Sequence, residues 1–169
     1  MTQISQIAKV IPIIYPIDIN AAGAVSDIVN MAKWDHLAIV VQQGAWAGGT
    51  SSLTVEACSD AVGTLSPDMD FWYRIATMDG SALSDVWGAL TWSTSTGITL
   101  PATADRATII EIDAAEVYAN RVAGVAANAG YHRVRITVGT PGANADLLCA
   151  TAILYNGRYL QNLLATAID

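Results

Sequence analysis

The side chains able to do chemistry in this sequence are few and far apart. A catalytic histidine needs a nucleophile or a carboxylate within reach, and the chain offers two histidines, His36 and His132. His36 follows Asp35 directly. Adjacent strand residues point to opposite faces, so that pair cannot form an Asp–His dyad, and Asp35 reads as a turn-capping residue. His132 falls on the apolar face of YHRVRITV, where a histidine reads as a core or interface residue rather than a ligand. Carboxylates recur at i and i+2 in Asp68 with Asp70 and in Glu111 with Asp113. That spacing sets both groups on one side of a strand. Calcium, however, takes about six oxygens or more, and no calcium-loop pattern supplies the remainder. Both pairs therefore read as solvated strand ends.

Phosphate and thiol chemistry fare no better. Gly44, Gly48 and Gly49 in GAWAGGTSS lack the dinucleotide-binding spacing, the lysine of a P-loop and a helix to follow, and so suit a tight hairpin connection. Cys58 and Cys149 stand alone, without the second pair that redox or zinc motifs require, and read as reduced, small hydrophobic residues. The sequence predicts no enzyme, no cofactor and no metal site.

Five tryptophans remain. Trp34 and Trp92 occupy positions that suit a core, whereas Trp46, Trp72 and Trp87 suit an exposed surface. Exposed aromatics on a β surface can stack on sugar rings or anchor a protein interface. Composition favours the interface. The chain is 53% hydrophobic and only 14% charged, against about a quarter charged in ordinary domains, so it must present broad neutral patches of the kind that mark contact surfaces. A net charge of −7, from eight basic and fifteen acidic residues, argues against direct nucleic-acid binding, which needs clustered cations. Arg133 and Arg135 share a strand face but make no patch. VIPIIYPIDI (10–19) is broken by Pro12 and Pro16, and no apolar run reaches bilayer length; neither a signal segment nor a membrane span is expected, and the chain is expected to stay soluble.

The elements that must position these residues are short β-rich runs separated by turn residues. HLAIVVQQ (36–43) reads as a central strand buried on both faces. SSLTVEACSD (51–60) alternates, with Leu53, Val55 and Ala57 toward a core. DMDFWYRIATM (68–78) turns Phe71, Tyr73 and Ile75 one way and Trp72 with Arg74 the other. VWGALTWSTSTGITL (86–100) holds one or two strands, and RATIIEID (106–113) another. Asp113 and Glu116 are spaced as a capping box and predict a short helix. YANRVAGVAANAG reads as a long loop, YHRVRITV (131–138) as an alternating strand and LLCATAILYN (147–156) as a mid-sheet strand, while GRYLQNLLATAID carries no strong pattern. The expected fold is a single all-β domain over residues 1–169, a jelly-roll-like antiparallel β-sandwich of seven or eight strands. Residues 1–20 are expected to form an extended arm, with one strand around Asp27 to Trp34.

Taken in order, VIPIIYPIDI, WDHLAIVVQQGAWAGGTSSLTVEACSD, FWYRI, TIIEIDAAEV and ATAILYNGRY resemble a group of small structural proteins of tailed bacteriophages. The resemblance spans nearly the whole chain, and its most specific element is the glycine-rich GGTSS connection with its flanking strands. It implies a capsid decoration, or cement, protein with a jelly-roll-like sandwich, bound as a homotrimer to the major capsid protein on the outer surface of the head. A tail or neck subunit and a glycan-binding module of the virion are the alternatives. Candidate partner-binding residues are Ile11, Pro12, Tyr15 and Pro16 of the arm, together with Trp46, Trp72, Arg74, Trp87, Arg133 and Arg135. The arm is expected to add a strand to a neighbour's sheet, so that deleting residues 1–16 would weaken shell binding and leave the sandwich folded.

Overall fold

A computed structural model describes residues 4–20, 22–77, 86–119, 131–142 and 145–157. Most of 118–130 and nearly all of 157–169, assigned above to a loop and to an unpatterned tail, lie outside the described residues. The chain folds as an antiparallel β-sandwich. One sheet has six strands in the order β1 (Ala8–Asp18), β11 (Asp146–Gly157), β4 (Trp34–Trp46), β9 (Arg106–Asp113), β6 (Phe71–Thr77) and β7 (Thr91–Ser93). The other follows the order β2 (Ala24–Val25), β10 (Arg133–Val138), β5 (Ser51–Cys58) and β8 (Ile98–Leu100), with β3 (Val29–Asn30) also paired to β10. Two short helices, α1 (Ile4–Ile7) and α2 (Ala114–Ala119), complete the described elements.

Period-two patterning builds the core. Leu53, Val55 and Ala57 of β5 and Val134, Ile136 and Val138 of β10 meet Leu37, Ile39 and Val41 of β4 and Ala150, Ala152 and Leu154 of β11 in one cluster. Burying each such side chain contributes roughly 1.5–3 kcal/mol for the larger ones. β4 is buried chiefly on one face: Ala38 and Val40 stay half-exposed between Leu37, Ile39 and Val41. Its run is apolar because its second face belongs to a sheet surface that carries rows of apolar side chains, not because that face is covered.

The Glu116 half of the expected capping box forms. Glu116 reaches back to accept a 3.0 Å hydrogen bond from the Asp113 backbone N–H, and α2 starts at the next residue, burying Ala114 and Val117.

The N-terminal segment departs from the expectation of an arm. Residues 8–18 are extended, but they pair antiparallel with β11 from Ala8↔Tyr155 to Asp18↔Leu147. Ile11, Ile13 and Ile14 are buried in the shared core. The prolines explain how an edge strand arises from what reads as an arm. Pro cannot donate to a ladder and is confined to edges and irregularities, and the register shifts of β1 fall between Pro12 and Ile14 and between Ile14 and Ile17, beside each proline. Those interruptions also blunt the outer edge of β1 against a further strand, which removes the reason to expect strand addition. Deleting 1–16 would strip three core isoleucines and uncover β11.

Candidate interaction surface

The two outer faces of the sandwich differ in kind. On the five-stranded sheet the polar side chains satisfy one another. Arg135 donates from Nε to Glu56 at 3.1 Å and makes a second, shorter bond from Nη2, while Thr137 donates to the other Glu56 oxygen. Arg135 also reaches Ser66 at 2.9 Å. Burial pushes the Glu56 carboxyl up, yet the bonds from Thr137, Arg135 and Ser66 outweigh it and hold the group below its ordinary value. Arg133 contacts His132 Nε2 at 3.0 Å.

The outer face of the six-stranded sheet carries rows of apolar side chains interrupted by Glu111 and Arg74. Residues directly opposite in neighbouring strands share a face, and the register aligns Val10, Ile153, Ala38, Glu111, Trp72 and Trp92 in one row across all six strands. Beside it runs the row Pro12, Thr151, Val40, Ile109 and Arg74. Val10, Trp72 and Trp92 are exposed, the two rings meeting edge-on with centroids 4.9 Å apart. A third row is Tyr155, His36 and Asp113, in which the His36 ring stacks on Tyr155 at 5.2 Å and its Nδ1 pairs with the Asp113 carboxylate.

That last contact is an Asp–His pair, formed with a residue 77 positions away rather than with the adjacent Asp35. Asp35 instead accepts a hydrogen bond from Asn156 Nδ2 at 3.1 Å. The neighbours described for the ring offer no nucleophile: Cys149 lies six residues from Tyr155 along β11, roughly 20 Å at the rise of a strand, and its thiol contacts Gln42 at 3.5 Å. The buried Cys58 thiol is pushed up to about 11, chiefly by desolvation.

The sequence-predicted contact residues scatter over the fold. Pro12, Trp72 and Arg74 lie on the outer face of the six-stranded sheet, and Trp87 bridges to Ala76 at its β6 end. Tyr15 and Pro16 line a groove between β1 and β2, with Ile13, Ile17 and Val25 among its walls. Trp46 ties its own loop, donating from Nε1 to the Gly49 carbonyl at 3.0 Å. Arg133 and Arg135 belong to the opposite, polar sheet, and Ile11 is a core residue. Trp92, expected in the core, is 42% exposed. It was misassigned because β7 has only three residues, too few to declare which face is inward. Tyr155, His36, Glu111 and Asp113 were missed as a group, since only the strand register brings them together.

No protein-family model and no curated protein match this chain. Among solved structures it is similar to the SPBc2 prophage-derived protein YomS, at 9% identity and a TM-score of 0.46, over 88% of this chain and 93% of that one. A structure of infectious bursal disease virus Gt strain overlaps at 11% identity and a TM-score of 0.21, over 96% of this chain and 44% of that one.

Proposed function

We propose that the chain is a non-enzymatic structural protein of a phage virion, a decoration protein that docks on the major capsid protein at the outer surface of the head through its six-stranded sheet. The observation that carries the docking surface is the asymmetry of the sandwich: one outer face centres on the paired Arg135, Glu56 and Thr137, the other carries Val10, Ile153, Ala38, Trp72 and Trp92 in one row interrupted by Glu111. Contiguous exposed apolar surface rimmed by polar groups marks a site of association. The phage head as destination rests on the resemblance of the sequence blocks described above. The same resemblance implies a homotrimer.

The test is a sedimentation titration of purified heads lacking the protein. Saturable binding of the wild type, weakened by Trp72→Ala and unchanged by Thr99→Ala on β8 of the other sheet, is expected. Binding to isolated tails or necks in place of heads would move the protein to the tail or neck reading, and no binding to any virion part would sink the proposal.

A further inference from the structure

Asn156 and Gly157 end β11, and theirs is the one asparagine–glycine step in the sequence. An asparagine side chain is open to attack from within its own backbone when the next residue has no side chain to shield its nitrogen, and glycine is that residue. Asn156 is exposed and Gly157 half-buried. The step also lies where the sheet is least closed. The pairing of β11 with β1 ends at Ala8↔Tyr155, and Gly157 faces Trp34, the first residue of β4. Ladder ends of this kind open at far lower free energy than strand interiors.

The backbone there is not that of a continuing strand. Asn156 has a φ of +56°, a left-handed conformation that asparagine tolerates better than most residues with a side chain. Its amide is committed across the sheet, with Nδ2 donating to Asp35 Oδ2 at 3.1 Å. That bond depends on the amide. A carboxylate at position 156 has no hydrogen to donate and would set two like charges against each other on neighbouring strands, a destabilising arrangement.

We propose that Asn156 is a self-modification site, whose conversion to aspartate and isoaspartate releases the end of β11 from β4. The Gly157 amide nitrogen gives its proton to hydroxide and bonds to Asn156 Cγ. The Cγ–Nδ2 bond breaks, and Nδ2 leaves as ammonia, taking its last hydrogen from water and restoring the hydroxide. Water then opens the five-membered imide. Cleavage between Cγ and the Gly157 nitrogen yields aspartate; cleavage at the main-chain carbonyl of residue 156 yields isoaspartate, whose chain runs through the side-chain carbon. Nothing is oxidised or reduced, and water is the sole co-reactant. Both products place a negative charge against Asp35, and isoaspartate also lengthens the backbone beside the Gly157↔Trp34 pair.

The experiment uses the intact chain, incubated in mildly alkaline buffer at physiological temperature and sampled by peptide mapping in a mass spectrometer, with isoaspartate distinguished by electron-transfer fragmentation. The peptide holding Asn156 should progressively gain the mass that separates a carboxylic acid from an amide and should split into two forms, faster as pH is raised. Asn20 and Asn30, followed by Ala21 and Met31, should stay amides over the same period. The thermal midpoint should fall in step with the modified fraction. Asn156→Gly, which suits the left-handed φ and has no amide to lose, should age without that fall. In Asp35→Asn the fall should be smaller, because the facing charge is gone. An Asn156 that keeps its amide as long as Asn20 and Asn30 do, or that converts with the midpoint unmoved, would overturn the proposal. So would an equal fall in Asn156→Gly, which would place the ageing elsewhere in the chain, or an undiminished fall in Asp35→Asn.

Discussion

Arg135 and Glu56 sit directly opposite each other on β10 and β5, and the guanidinium meets a carboxylate that also accepts from Thr137. This pairing makes the five-stranded face self-sufficient. Replacing Glu56 with Ala leaves Arg135 without its carboxylate in a half-buried setting, and should cost roughly 1–3 kcal/mol, read as a lower midpoint in urea with an unchanged slope. An unchanged midpoint would mean the pair is ornamental.

The same carboxyl sets a pH dependence. Because its folded pKa lies below the ordinary value of 4.5, its contribution is present above that value and is lost as pH falls through the folded one. Asp68, raised by burial and by the charge of Glu56, acts with the opposite sign but has fewer partners. Melting followed from neutral pH into acid should therefore decline more steeply for the wild type than for Glu56→Gln. Parallel declines would contradict the assignment.

Removal of residues 1–16 should abolish cooperative unfolding. Ile11, Ile13 and Ile14 are each under 9% exposed, and losing three such side chains forfeits on the order of 5 kcal/mol, comparable with the whole stability of a typical domain. A truncated chain that still melts cooperatively by near-ultraviolet circular dichroism would show that β1 is dispensable.

The connection at Gly49 is a further test. Its φ is +83°, and an added Cβ would lie 2.1 Å from the Pro141 carbonyl oxygen. Gly49→Ala must strain or shift that loop, at a cost of about 2 kcal/mol or more, measurable by thermal denaturation. The loop is held from beneath by buried Asp146, which accepts from the Ala47 N–H at 2.6 Å. A melting temperature equal to that of the wild type would show the loop to be slack.

Which parts of this were legible in the sequence follows from where the information resides. Alternation within one strand is local, so Leu53, Val55 and Ala57 of β5, the outward Trp72 and the Asp113–Glu116 cap were readable. Trp72 and Trp92 becoming neighbours, or His36 meeting Asp113, depends on β4, β9, β6 and β7 standing side by side in one register, which no single strand encodes. β1 was misread for a related reason. Two prolines in ten residues look like an arm, because its role as an edge strand exists only once β11 is in place.

On the six-stranded face, Trp72→Ala should separate binding from folding. Trp72 packs on Trp92, a contact worth about 0.5–1.5 kcal/mol, so stability should fall by about that much. If the face is the docking surface, head binding should fall by about 2 kcal/mol, or ~30-fold, as for an aromatic anchor. A binding loss no larger than the stability loss would place the anchor elsewhere.

The central claim, that the sandwich docks by its six-stranded face, is tested most directly by an electron cryo-microscopy map of heads saturated with the protein. The account predicts the row from Val10 to Trp92 against the shell, with the five-stranded sheet that carries Glu56 and Arg135 on the far side. A map with the Glu56–Arg135 face on the shell and the tryptophan row open to solvent would contradict it.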